Sequence, residues 1–173
     1  IKDKTLRKRA LSILGLAKTK KGDLKEAREI YQKILMEDKT NTSAHNNLGN
    51  IYSKLGNEVL SIAQYKKVLR IDPYHIGALK NLARMYKKQT DLKKATNMYK
   101  DVLEVDPKDS DAFKGIVRIY LDSNQIKEAI NEIKKSLSSH LVGLNFLSEI
   151  MEKTQEKDIL ELVNMVLTDF IGR

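Results

Sequence analysis

An all-α array of stacked helix–turn–helix units is the fold class this sequence predicts, on three observations. Tyr52, Tyr86 and Tyr120 lie 34 residues apart, as do Tyr31, Tyr65 and Tyr99, and as do Pro73 and Pro107, so six of the seven tyrosines and both prolines obey one period. Small and aliphatic columns share that period: Ala10, Ala44, Ala78 and Ala112; Leu14, Leu48, Leu82 and Ile116; Ala27, Ser61, Ala95 and Ala129; Ile34, Val68 and Val102. A turn column, Gly22, Gly56, Thr90 and Asn124, falls midway through each unit, and Asp38, Asp72 and Asp106 close it. A period of this size signals units that bury their apolar faces only against their neighbours.

The repeats run 8–41, 42–75, 76–109 and 110–143, followed by residues 144–173. In repeat two, Leu48, Tyr52, Tyr65, Val68 and Leu69 recur at spacings of three and four on either side of Gly56-Asn57, which predicts two helices with a break between them. A glycine there can take the positive φ that ends one helix and turns into the next. Asp72-Pro73 ends the second helix, because the residue before proline disfavours helical angles. Repeat three keeps every key column. Repeat one departs with Lys18 in the tyrosine column and Lys39 in the proline column. Repeat four has Ile133 for tyrosine and Ser136 for an aliphatic residue, and lacks the proline. Residues 144–173 read as a last helix pair. Leu144, Leu147, Ile150 and Met151 continue the stack, Gln155-Glu156 marks the turn, and Ile159 to Ile171 carries a wide apolar arc. That arc packs within the chain, or else forms a surface for self-association through residues 159–171 or for a missing segment. Val59 and Leu60 stand at ordinarily polar positions beside Glu58 at an apolar one, the mark of a local helix-phase shift or of a contact patch.

The segments L-G-N-I-Y at 48–52, G-N at 56–57, Y-K-K-V-L at 65–69 and D-P at 72–73 carry a resemblance to the tetratricopeptide repeat family. It covers residues 8–143. The resemblance implies a single domain over 1–173, a right-handed α-solenoid superhelix with a concave face, and a non-enzymatic role as scaffold or adaptor.

Composition narrows the rest. Zero cysteines exclude disulfides and thiolate metal sites. No apolar run is long enough to span a membrane, and no signal peptide is visible. A soluble, cytoplasmic protein is the expectation, although a chain starting at Ile1 leaves room for an upstream targeting segment. The net charge of +9 is uneven: residues 1–41 carry +6, the next three repeats +2, +3 and +1, and residues 144–173 carry −3. The basic start (Lys2, Lys4, Arg7, Lys8, Arg9) reads as a solvated helix end before it reads as an anchor for an acidic partner or nucleic acid.

Helical spacing separates two faces. In repeat three, Leu79, Leu82, Ala83 and Tyr86 point into the stack, and Gly77, Lys80, Arg84, Lys87 and Lys88 lie opposite. In the family this second face lines the concave groove. Along the array it carries nine basic and two acidic residues, which implies an acidic ligand. Lys80 with Arg84, and Lys114 with Arg118, stand one turn apart, so each pair reaches one spot. Asn46, Asn47, Asn50 and Asn81 supply amides. Converging cations and amides suit a carboxylate. The set resembles the two-carboxylate clamp of co-chaperone tetratricopeptide domains, which grip the free C-terminus of an acidic peptide. Laid onto repeats two to four, the pattern finds Asn50, Asn81, Lys114 and Arg118, with Asn46 where the first lysine belongs.

No cofactor or metal is expected, since His45, His75 and His140 lack metal-ligand spacing. No phosphate-binding glycine loop or nucleophile motif supports an enzyme. Nucleic acid is the rival partner on charge grounds, but phenylalanine is scarce, tryptophan is absent and most tyrosines belong to the core, so bases lack stacking platforms.

Overall fold

The computed structural model describes residues 2–137 and single positions beyond them, among them Ile150 and Leu160. The expected terminal helix pair at 144–173, and with it the self-association surface at 159–171, lies almost wholly outside the described residues. Among the described residues the chain is helical throughout: α1 (Lys2–Lys21), α2 (Leu24–Glu37), α3 (Thr42–Lys54), α4 (Glu58–Ile71), α5 (Ile76–Lys88), α6 (Leu92–Val105), α7 (Ser110–Asp122) and α8 (Ile126–Leu137). None of these helices is long and apolar enough to cross a membrane.

The helices fall into two compact units, Ile1–Thr90 and Asp91–Arg173. In the first, α1 pairs with α2 and α3 with α4, while α2 packs on α3 and α4 on α5. In the second, α6 packs on α7 and α7 on α8. In unit 1, α2 and α4 are thus each clasped by the first helices of their own and the next repeat.

The turns follow from the expected column. Gly22 (φ +93°), Gly56 (φ +75°), Thr90 (φ +59°) and Asn124 (φ +56°) all take the left-handed conformation. After Gly56, Asn57 caps α4 by accepting from the Leu60 N–H at 3.0 Å, satisfying a donor that the helix start leaves open. Asn41, His75 and Asp109 do the same for α3, α5 and α7. Asp72 and Asp106 end α4 and α6 in extended conformation, as the following prolines require.

One core cluster in unit 1 joins Ala27, Ile30, Tyr31, Ile34, Ala44, Leu48 and Ile51, and one in unit 2 joins Phe113, Val117, Ala129, Ile133 and Ile150. Each large aliphatic side chain buried there contributes roughly 1.5–3 kcal/mol. The small-residue column lets helices touch: Ala27, Ser61, Ala95 and Ala129 are each 0% exposed. Ser61 also donates to the Gly49 carbonyl at 2.9 Å, which satisfies its buried hydroxyl.

One expectation changes in detail. Ala10 and Leu14 share columns with buried residues yet are exposed, because no described helix lies against that side of α1. Val59 and Leu60 are also exposed, and Glu58 beside them turns to α5, pairing with Lys88 Nζ at 2.8 Å. Lys88's ammonium holds the Glu58 carboxyl below its usual range.

Gly49 lies under the ring of Tyr65, where an added Cβ would overlap ring carbons. Gly→Ala inside a helix ordinarily gains about 0.5–1 kcal/mol. Here overpacking against a buried ring outweighs that gain, and Gly49→Ala should destabilise by about 1–3 kcal/mol net. Thermal denaturation reads this as a lower Tm; an unchanged or raised Tm would mean that the ring moves aside freely.

Candidate functional site

The face of unit 1 expected to line the groove lies on α3 and α5, which carry equivalent residues one period apart. Asn81 on α5 reaches back to α3, its Nδ2 donating to Asn50 Oδ1 at 3.0 Å and to Asn46 Oδ1 at 3.2 Å. Arg84 Nη1 donates to Asn81 Oδ1 at 3.2 Å. Tyr65 on α4 donates its hydroxyl to Asn50 Oδ1 at 2.7 Å.

The sense of this network is determined by chemistry. A guanidinium has no acceptor, so Arg84 must face the Asn81 oxygen. The Asn81 amide then faces α3, and Asn46 and Asn50 must turn their oxygens toward it. Their own NH₂ groups are left without partners among the described residues. Arg84 is exposed and has further N–H groups to offer. The face therefore presents two side-chain amides and a guanidinium, all donors, with one another already in place. Lys80, half-buried, lies one turn before Arg84.

Asn47 stays outside the network. It shares a column with Asn81, but one period back from Asn46 and Asn50 stand Ser12 and Leu16. Ser12 spends its hydroxyl on the Lys8 carbonyl, and leucine has nothing to offer. Lys114 and Arg118 stand one turn apart on α7, half-buried and exposed respectively, and belong to unit 2. Of the eight expected residues, Asn46, Asn50, Asn81 and Arg84 are thus drawn into one hydrogen-bonded set.

Tyr65 was expected only as core. Its ring is core, 2% exposed, and burial raises its hydroxyl pKa, with Ser61 and the Arg84 charge acting against the shift. The hydroxyl nonetheless anchors Asn50, a role that the register of Asn50 with Leu16 signals. The equivalent Tyr31 hydroxyl, where leucine replaces the asparagine, is buried and makes no well-formed hydrogen bond among the described residues: the Thr19 hydroxyl lies near it but donates to the Gly15 carbonyl at 2.8 Å.

Among the described residues no group of His, Asp and Glu could hold a metal ion. Three family models, each described as tetratricopeptide repeat, match residues 9–41, 40–108 and 87–140. The chain belongs to the tetratricopeptide repeat family. No curated protein matches it. Solved structures of similar fold include pilF of Pseudomonas aeruginosa, 19% identical with a TM-score of 0.75, covering 92% of this chain and 72% of that one. A MamA double mutant is 17% identical with a TM-score of 0.73, covering 92% of each chain. The first tetratricopeptide repeat domain of Spaghetti (RPAP3), bound to the HSP90 peptide SRMEEVD, is 20% identical with a TM-score of 0.63, covering 68% of this chain and 93% of that one. Tetratricopeptide architecture of this kind is that of a protein-interaction scaffold.

The two tyrosines supply a direct test of the network. Tyr65→Phe removes a made hydrogen bond and should cost about 1 kcal/mol, whereas Tyr31→Phe removes an unpaired hydroxyl and should be neutral or stabilising. Chemical denaturation of the two variants should separate them in that order; equal effects would contradict the network.

Proposed function

We propose that this tetratricopeptide protein is a non-enzymatic adaptor whose groove face in unit 1 binds an acidic segment of a partner protein. The observation that carries this reading is the Asn46–Asn50–Asn81–Arg84 network, which pre-orients donors and offers no carboxylate of its own. Donors held in place before binding lose little freedom on binding, which favours affinity. A carboxylate accepts several such bonds at once.

In unit 2, Lys114 and Arg118 stand one turn apart on α7 as a separate basic pair. By sequence pattern alone these two belong with Asn50 and Asn81 to the partial clamp set, and a free C-terminal carboxylate is the ligand group that pattern suits. Asn46 in place of the clamp's lysine removes one cation, and this favours acidic side chains along the segment over dependence on its terminus alone. The structure of the Spaghetti domain with SRMEEVD supports the reading by analogy, since that peptide is acidic.

A hydrogen bond to a charged group contributes roughly 1.5–3 kcal/mol. Two or three such bonds, less ordering costs, suggest a peptide Kd on the order of micromolar. Arg84→Ala should weaken an acidic peptide about tenfold or more, with circular dichroism unchanged. Fluorescence anisotropy with a labelled acidic peptide checks this, and wild-type affinity in that variant would overturn the assignment.

A further inference from the structure

A cavity of about 500 Å³ opens elsewhere in unit 1, where the α2–α3 turn meets the end of α4. Lys39, Lys67 and Arg70 line it, with Leu35 and Ile71 as apolar wall and His45 at its base. No carboxylate lines it. The acids that flank it in sequence are engaged: Asp38 accepts from Lys8 Nζ at 3.1 Å and from Thr40, and Asp72 accepts from the Tyr74 N–H. The side chains of Lys39, Lys67 and Arg70 make no ion pair or hydrogen bond among the described residues. None of the groove network residues takes part.

The period shows that this set is particular to its place. Lys39 stands where the next two repeats have Pro73 and Pro107. His45 stands where the others have Leu11, Leu79 and Phe113. Lys67 and Arg70 stand where repeat three has Asp101 and Glu104, opposite in sign. His45 is only 5% exposed; its Nε2 donates to the Lys39 carbonyl at 3.0 Å, and its Nδ1 then accepts from the Gln64 side-chain amide, 2.7 Å away, with that amide turned N–H first. It therefore fixes the backbone that carries Lys39 at the rim. A buried histidine in a leucine column costs desolvation, which these two bonds offset. The result is a positioned cation that a proline could not supply.

Three cations around one cavity repel one another until an anion arrives. A single carboxylate, with one charge, leaves most of that repulsion in place. A phosphate group brings close to two negative charges and three acceptor oxygens, and a guanidinium matches its geometry. We propose that this cavity is an oxyanion site for a phosphate group, either a phosphorylated side chain or free phosphate. The apolar wall of Leu35 and Ile71 suits the carbon next to a phosphate ester.

The test is an amide and imidazole NMR titration of the whole chain with inorganic phosphate, with capped phosphothreonine and with capped threonine. Saturable shifts at Lys39, Thr40, Asn41 and His45 are expected with the two phosphate compounds and not with threonine. Tighter binding of capped phosphothreonine identifies a protein-borne group, and equal or tighter binding of inorganic phosphate identifies the free ion. The double variant Lys67→Asp/Arg70→Glu installs the charges that repeat three already carries. It should keep its circular dichroism spectrum and bind both compounds at least tenfold more weakly. Absence of saturable shifts, shifts spread equally over Lys93, Lys94 and the other surface lysines, or wild-type affinity in the double variant would overturn the proposal.

Discussion

Everything in this molecule depends on how closely one helix can approach the next at a single column of small residues. Ala27, Ser61, Ala95 and Ala129 are fully buried, and each sits in the second helix of its repeat. A larger side chain there would force packed helices apart, and cores tolerate even one added methylene poorly. The 34-residue period is the sequence record of that constraint. Glycine does the same work under the tyrosine ring at Gly49, and Gly15 lies under Tyr31 in the same way. Close approach also has a functional consequence. It brings side chains one period apart within hydrogen-bond reach, so that Asn81 can hold Asn46 and Asn50.

Repetition provides the frame, and departures from it provide the chemistry. The first-helix faces of repeats one and two differ by a few residues, yet those residues decide which face can be pre-organised. Leu16 leaves the Tyr31 hydroxyl buried and unpaired, whereas Asn50 takes the Tyr65 hydroxyl and passes the connection to Asn81. An unpaired buried hydroxyl is a cost that the first repeat tolerates. The cavity at His45 follows the same logic, since it arises where repeat two has histidine in a column of leucine and phenylalanine and the end of repeat one has lysine in the proline column. Surface charge alone would not have singled out either place, because lysine is spread over most of the exposed surface.

The helices, their turns and their buried faces were legible in the amino-acid sequence. Periodicity reports backbone conformation directly: Thr90 and Asn124 take the glycine conformation because they occupy the glycine column. A column reports less well whether a face is covered. Ala10 and Leu14 share columns with Ala44 and Leu48 but remain open, since burial belongs to the neighbour as much as to the residue. Four of the eight expected groove residues hydrogen-bond together, because side chains one turn apart on a helix, or one period apart along the array, must be near one another. Side-chain hydrogen bonding was not readable. The hydroxyl of Tyr65 and the ring of His45 were hidden among residues whose size explained their positions. Asn47 shows the converse, an asparagine in the right column whose counterparts in repeat one cannot answer it.

The central claim is that pre-placed donors on the groove face bind an acidic segment. The most direct measurement is a calorimetric titration with an acidic peptide and with its counterpart in which every glutamate and aspartate is an amide and the C-terminus is amidated, each at low and moderate salt. The account predicts saturable binding of the acidic peptide that weakens as salt rises, with the neutral counterpart bound at least tenfold more weakly. Equal affinity for the two peptides, or no binding of either, would contradict it.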